Sequence, residues 1–400
     1  MKAVIMAAGE GSRMRPLSYT RPKVMLPIAN RPIMEHLLIE IREAGINEFV
    51  IIVGYHDEQV RDYFDRGQKW KTSIEYCSQK KQLGTADALK QARERLDGDF
   101  LVINGDIIAY RQDIARLIEN EGTAMAVTDV KDGRQLGTVE ISGNRVVRIY
   151  EKSPKPTSST ANAGIYRFGL EIFDAIARTP KSLRGEYEIT DSIQRLIDGG
   201  TKVSPRPIGQ WLDFSYPWDL LTANEKMLVQ IKSLNRGTCE ENAVIKGPVS
   251  IGAGTVIRSG AYLVGPLVIG KNCDIGPNCY VRPHTAIGDD CHIGSGVEVK
   301  NSIIMKGSKI PHLSYVGDSI IGESCNLGAG TKTANLRLDG KNITAGDTDT
   351  GRRKLGAIIG DRVETGINVA INVGCLIGND SHIGPGATVS GLIQPDTKIF

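Results

Sequence analysis

The sequence predicts two fold classes in one chain: an open α/β sheet over residues 1–230 and a parallel β-helix over residues 231–400. Three observations carry this. Compact apolar runs alternate with helically spaced stretches in the first half; aliphatic residues recur at every sixth position from Ile251; and the 45 glycines of the 400-residue chain concentrate in the second half. Period and length separate the two classes, since a buried strand is a short apolar run and a solenoid repeats one short unit.

Composition excludes several functions. A net charge of +3 supplies no basic field for nucleic acid. No apolar run reaches the length that spans a bilayer, so no membrane partner is expected. Seven cysteines without a Cys-x-x-Cys spacing read as reduced thiols, which predicts a cytoplasmic protein. The N-terminus reads as a first strand and a poor signal peptide.

In the α/β half, Ala3-Val4-Ile5, Phe49–Val53 and Phe100–Ile103 read as buried parallel strands, with helical spacing over residues 33–44 and 86–96. The first strand runs into Met6-Ala7-Ala8-Gly9-Glu10-Gly11-Ser12-Arg13-Met14-Arg15-Pro16, and Lys23 follows between Pro22 and Pro27. Glycines that admit close backbone approach, N–H groups facing an anion, and the charges of Arg13, Arg15 and Lys23 together suit a polyphosphate. Asn104-Gly105-Asp106 follows another strand. It is good turn chemistry, and it is equally a carboxylate for Mg²⁺, which takes one or two carboxylates plus phosphate oxygens. Asp213 is the expected second ligand and Asp219 the reserve; Asp219 also suits a helix cap.

These residues carry a resemblance. The string AAGxGxRMxP followed by Pro-Lys is similar to the signature of sugar-phosphate nucleotidyltransferases. The resemblance implies a Rossmann-like nucleotidyltransferase domain in which Ala8, Gly9 and Gly11 meet the nucleotide while Arg13 and Lys23 are catalytic. Gln79 with Gly84 and Thr85 resembles the segment that reads the base. Gly137, Glu151-Lys152 and Asn162 resemble the segments over the sugar and its phosphate. The implied reaction is attack of a sugar-1-phosphate oxygen on the α-phosphorus of a nucleoside triphosphate. That nucleophile is already an anion, so positioning and charge neutralisation suffice.

Residues 220–236 read as an amphipathic helix leading into the repeat. The sixfold series then runs Ile251, Ile257, Leu263, Ile269, Ile275, Val281, Ile287, Ile293, Val299 and Met305, and resumes at Ile321 and Leu327 and again at Ile371, Ile377, Ile383 and Val389. Cys273, Cys279, Cys291, Cys325 and Cys375 share a slot four residues after an aliphatic position, which wants a small buried residue. Two interruptions are expected to form loops, one over Pro311–Asp318 and a longer one from about Ala334 to Ala357.

Hexapeptide β-helices resemble the left-handed class and usually trimerise on their flat faces, so a homotrimer is expected. Within the first interruption, His312-Leu-Ser-Tyr315-x-Gly-Asp resembles the acetyltransferase half of the bacterial bifunctional enzymes of UDP-N-acetylglucosamine synthesis, as do Asn326 to Thr331 and Thr333-Ala334-Asn335. That resemblance implies His312 as the general base for an amino-sugar-1-phosphate and acetyl-CoA as acetyl donor. Arg282 and Lys300 would grip the sugar phosphate, with Tyr315, Asn326, Asn335 and Lys341 around the sugar. Three features depart from the bacterial pattern: Gly294-Ser295-Gly296, the longer second interruption, and the end of the chain at Phe400 straight after the last coil. They resemble the archaeal bifunctional branch of the family. The competing readings are a single nucleotidyltransferase for glucose- or mannose-1-phosphate with the β-helix as scaffold, and a non-catalytic subunit of the same architecture.

Overall fold

The computed structural model describes residues 1–130, 133, 136–151 and 158–400. The chain divides into two compact units. Met1–Glu10, Arg21–Met25 and Ile33–Asp213 form the first; Gly11–Thr20, Leu26–Pro32 and Phe214–Phe400 form the second.

In the first unit the apolar runs become parallel strands. Lys2–Ala7 lies between Glu48–Val53 and Phe100–Asn104, and Ser73–Ser78 pairs with the outer side of Glu48–Val53. The runs are continuously apolar because both faces are covered. Ala3, Ile5 and Ala7 pack with Met34, Leu37 and Leu38 of the Ile33–Glu43 helix, whereas Val4 packs with Ala86 and Leu89 of the Thr85–Lys90 helix. Thr160–Phe168 then adds antiparallel to Phe100–Asn104, with Ala124–Asp129 and the Gly137–Ser142/Arg145–Glu151 hairpin beside it. The helix expected over 86–96 stops at Lys90, and Arg93–Arg95 continues as a 3₁₀ turn.

From Lys2–Ala7 the next parallel strand in the chain lies on one side and the last on the other. Strand order therefore reverses between Lys2–Ala7 and Phe100–Asn104. In open α/β sheets the ligand crevice opens at the carboxyl ends beside such a switch point. Those ends carry Ala8-Gly9 and Asn104-Gly105-Asp106.

The second unit is built on three parallel sheets, and successive strands enter them in rotation, one per sheet per turn of chain. This agrees with the left-handed β-helix class. The inward ladder reads Ile251, Ile269, Ile287, Ile304, Ile321, Ile359 and Ile377 on one sheet, so each coil buries the same position.

The ladder corrects three expectations. Ile304, and not Met305, is the inward residue after Val299. Pro311–Asp318 is also not a loop: Lys309–His312 and Tyr315–Gly317 are strands in register with the coil before them. The series shortens to five residues twice, at Val299 to Ile304 and at Val316 to Ile321, and otherwise continues through Ile310 and Val316. Left-handed corner residues slip at the same two places, through Asp290, Gly296, Asn301, Gly307, Leu313, Asp318 and Ser324. A corner closed with one residue fewer leaves the core intact but shifts a fixed six-residue count out of phase.

The third correction concerns the entry to the solenoid. The helix there is Asp219–Leu228, and Leu234–Asn235 already pairs with Ser250–Ile251, a coil earlier than the periodic signal. Its residues are exposed at the open end of the stack, so this coil lacks the aliphatic pattern. The longer interruption is an insertion between Lys332–Thr333 and Ala357–Ile359 that carries a small Thr344–Ala345/Thr348–Asp349 hairpin. No helix among the described residues is long and apolar enough to cross a membrane.

Candidate functional site

In the first unit, Lys23 Nζ lies 2.6 Å from Asp106 Oδ2. Lys23 is nearly buried, so its ammonium is held rather than free in solvent. Gly105 allows the turn that presents Asp106: its N–H donates to Met6 O, and a Cβ there would stand 2.9 Å from the same oxygen. Asp213 is brought to the same place by a short antiparallel pair in which Trp211, Leu212 and Asp213 face Ala109, Ile108 and Ile107. Asp106 and Asp213 thus sit at the ends of neighbouring strands. Asp219 is engaged otherwise, since its Oδ2 accepts the N–H groups of Ser215 and Tyr216.

Among the described residues no group of three or more His, Cys, Asp or Glu gathers into a metal cage. Two carboxylates of hard oxygen suit a magnesium ion that takes its remaining ligands from phosphate and water. Asp106 and Asp213 fit that demand.

The base segment is largely committed to its own structure. Gln79 Nε2 donates to Gly84 O at 3.0 Å and to Asp87 Oδ2 at 2.8 Å. Both partners only accept, which turns the Gln79 carbonyl away from them. Thr85 Oγ1 accepts the Ile189 N–H at the start of the Ile189–Asp198 helix. Gly137 pairs with Glu151 across the hairpin, and a Cβ on Gly137 would lie 3.0 Å from Glu151 Oε2 and 3.6 Å from Asn162. Gly137, Glu151 and Asn162 therefore form one cluster. Thr190 and Arg184 also hold Glu151. Lys152 lies outside the described residues.

Gly11 and Arg13 belong to the second unit. Gly11 has φ of 68°, and Arg13 lies over the Tyr216 ring, which stacks on Trp218. Elsewhere in this unit, Arg282 and Lys300 follow Val281 and Val299 at equivalent positions on adjacent coils. They line a cavity of about 510 Å³ with Glu225, Pro283, His284, Asn301, Asp318, Arg352, Arg353 and Lys354. Five cations face two carboxylates, and His284 Nδ1 and Asn301 Oδ1 are buried there with no partner among the described residues. Polar groups left unpaired in a basic cleft are chemistry for an anionic, hydroxylated ligand.

Asp318 ties this cleft together. It is 2% exposed, and it accepts from Lys300 Nζ at 3.1 Å, Asn301 Nδ2 at 2.8 Å and Asn335 Nδ2 at 2.6 Å. Asn335 also donates to Tyr315 Oη. Lys300, Tyr315 and Asn335 are thereby brought together. His312 and Asn326 lie on another sheet of the solenoid, His312 at the exposed end of Lys309–His312. Lys341 is exposed in the insertion and does not line the cleft.

A family profile described as nucleotidyl transferase matches residues 2–230, and one described as the GMPPB C-terminal domain matches residues 263–375. The chain is 40% identical over its whole length to the "Bifunctional protein GlmU" of Methanococcus maripaludis, covering 97% of that protein. The chain belongs to this bifunctional family. A "Bifunctional sugar-1-phosphate nucleotidylyltransferase/acetyltransferase" of Sulfurisphaera tokodaii is likewise 40% identical, over 98% of this chain and 97% of its own. A crystal structure from Bacillus anthracis assigned as a glucose-1-phosphate thymidylyltransferase matches 59% of this chain and 98% of its own, at 28% identity and a TM-score of 0.53.

For a member of the bifunctional family, sequence reasoning missed two features of the cleft. Asp318 stands inside a motif already singled out, but nothing local marks it as a hub. Arg352-Arg353-Lys354 had a signal, three consecutive cations where the insertion rejoins the coil. Lys341 lies in the same insertion, and the distance from either to Lys300 is unreadable along the chain.

Proposed function

We propose that this chain acetylates an amino-sugar-1-phosphate and couples the product to a nucleoside triphosphate. The observation that carries the reading is that each unit holds its own constellation for a phosphate ligand: Lys23 with the carboxylates Asp106 and Asp213, suited to a magnesium-bound phosphate, at a sheet switch point, and Arg282, Lys300 and Arg352–Lys354 around one β-helix cleft. The substrates are glucosamine-1-phosphate or galactosamine-1-phosphate, acetyl-CoA, and UTP or dTTP. The domain boundary lies near residue 230.

In the acetyl transfer, His312 takes a proton from the sugar amine as its nitrogen attacks the thioester carbonyl. The carbon–sulfur bond breaks and coenzyme A leaves as the thiol. An imidazole nitrogen is a suitable general base for this proton. Arg282, Lys300 and Lys354 hold the sugar phosphate, while Tyr315, Asn326 and Asn335 meet the sugar.

In the nucleotidyl transfer, a phosphate oxygen of the sugar bonds to the α-phosphorus and the α–β anhydride bond breaks, releasing pyrophosphate. No proton moves. Asp106 and Asp213 would hold Mg²⁺, which supplies charge neutralisation on the triphosphate. Arg13 and Lys23 stabilise charge as it builds. Ala8, Gly9 and Gly11 offer backbone to the phosphates, with Gly84 and Thr85 shaping the base segment. Gln79 turns its carbonyl toward a base N–H, as uracil and thymine present. Gly137, Glu151, Lys152 and Asn162 receive the sugar. Exposed Val244, Ile245 and Tyr280 on one sheet support assembly as a homotrimer, and reduced thiols support a cytoplasmic setting.

The test is one incubation with glucosamine-1-phosphate, acetyl-CoA and Mg-UTP, following free thiol and pyrophosphate separately. Both are expected. Pyrophosphate without thiol release would leave a nucleotidyltransferase on a β-helix scaffold and sink the acetyl-transfer half.

A further inference from the structure

Gln79 directly follows the strand Ser73–Ser78; its backbone N–H donates to Val53 O at 2.8 Å, and the residue is 4% exposed. Its side-chain nitrogen donates twice, to Gly84 O at 3.0 Å and to Asp87 Oδ2 at 2.8 Å. An amide nitrogen has two protons, so both are consumed. The reversed amide would set its oxygen against a carbonyl and a carboxylate oxygen, a repulsive arrangement where water cannot relieve it. Among the described residues the Gln79 carbonyl oxygen accepts no hydrogen bond. Whatever meets that oxygen must bring a donor.

The two acceptors are themselves held. On either side of Gly84, Leu83 O accepts the Tyr187 N–H at 2.7 Å and the Ala86 N–H donates to Tyr187 O at 2.9 Å. Gly84 has φ of 110°, and a Cβ there would stand 2.5 Å from Tyr187 O, so only glycine lets this carbonyl face Gln79. Asp87 follows in the Thr85–Lys90 helix and is half-buried. A hydrogen bond to a carboxylate is about twice as strong as one between neutral groups, which makes Asp87 the stronger half of the lock.

We infer that Asp87 is a positioning residue for base selection. By fixing Gln79 as an acceptor, it selects nucleoside triphosphates whose base carries a ring N–H. The inference rests on the nucleotidyl-transfer reading of this unit. Uracil and thymine carry a proton on N3, whereas cytosine has a lone pair on the same atom and would meet the Gln79 oxygen with repulsion. A site built around one buried polar group rejects the analogue that leaves it unpaired.

The test measures kcat/KM for UTP and for CTP by pyrophosphate release, with the full-length protein and N-acetylglucosamine-1-phosphate. The wild-type protein should prefer UTP by at least about a hundredfold. In Asp87→Ala the amide keeps only Gly84 O, and the UTP/CTP ratio should fall about tenfold or more. Asp87→Leu, nearer in size and a good helix former, should repeat that fall. Asp87→Asn still offers an acceptor oxygen, so its ratio should stay within about threefold of wild type. The ratio does not depend on how much of a variant is folded, because both nucleotides draw on the same active fraction.

An unchanged ratio in Asp87→Ala and Asp87→Leu overturns the inference; with a lowered melting temperature, it marks a carboxylate that merely supports its helix. A wild-type ratio near one overturns it too, as does a loss in Asp87→Asn as large as in Asp87→Ala. In each of these outcomes pyrophosphate is still released, and the nucleotidyl-transfer reading stands. Failure of the wild-type protein to release pyrophosphate with any nucleoside triphosphate overturns that reading, and the assignment of Asp87 with it.

Discussion

Lys23 and His312 illustrate how one side chain acquires a role. Lys23 is nearly buried and paired to Asp106, so Lys23→Ala leaves a carboxylate without its cation and the triphosphate without a fixed charge. Pyrophosphate release should fall about a hundredfold or more, with thiol release retained. His312→Ala should do the reverse, losing about 10²- to 10⁴-fold in thiol release and sparing pyrophosphate. Separate assays of the two products check both, and loss of both activities from either change would refute the assignment of two sites. The cysteines act at this scale too. Burial pushes the thiols of Cys279, Cys291, Cys325 and Cys375 up to about 12 and raises those of Cys77 and Cys273. Only the thiolate is a nucleophile. Titration of the native protein with a chromogenic disulfide should modify Cys239, the exposed thiol, within minutes, and the six buried ones only on unfolding.

At the scale of elements, the slot that holds these cysteines asks for more than small size. Cys273 donates to Gly288 O, Cys291 to Met305 O and Cys325 to Gly360 O; Thr255 and Ser308 make the matching bonds to Gly270 O and Gly322 O. At these five corners a small donor satisfies a buried carbonyl, which explains Cys, Ser and Thr there, while Val363 shows that the slot also accepts a residue without a donor. The coil bearing His312 is equally constrained. A Cβ on Gly294 would collide with the Pro311 carbonyl of the next coil. Gly294→Ala should therefore cost about 1–3 kcal/mol and shift the strand ending at His312. Thermal melting with the paired assay checks this: thiol release should suffer more than pyrophosphate release.

At the scale of the whole molecule, the shifted carboxyls Asp274 and Asp380 in one unit and Glu40 and Asp191 in the other contribute to acid stability with opposite sign. Hydrogen bonds from Arg258 and Arg362 lower the carboxyls of Asp274 and Asp380 on the β-helix. A depressed carboxyl contributes stability above its unfolded value, about 3.9, and loses it as pH falls through the folded value. Burial raises Glu40 and Asp191 in the first unit. Those groups bind protons more readily when folded, so their contribution grows as pH falls through the raised values. Calorimetry between pH 6 and 3 should show the β-helix transition dropping at the acid end. The Arg258→Gln/Arg362→Gln double variant should flatten that drop. The pairs are partly exposed, so the effect should be modest and weaken with salt.

How far this was legible before folding depends on the range of the information. Periodicity is local, so the buried strands around Val4, Val50 and Val102, the sixfold ladder and the loop from Ala8 to Arg15 could all be read along the chain. The five-residue steps after Val299 and Val316 could not, because the core tolerates a shortened corner while a count does not. Asp213 and Asp106 are more than a hundred residues apart, and only an antiparallel pair of three residues each makes them neighbours. Asp318 gains its meaning from coils stacked 17 residues apart, and Arg352 from an insertion that lengthens the next step to 38 and whose path sequence does not encode in any pattern. The sequence by itself determined the two fold classes and the kinds of chemistry present. Tertiary structure decided which charges share a cleft and what holds Lys23 in place, because hydrogen bonds and ion pairs act over a few ångströms in space, whatever the separation along the chain.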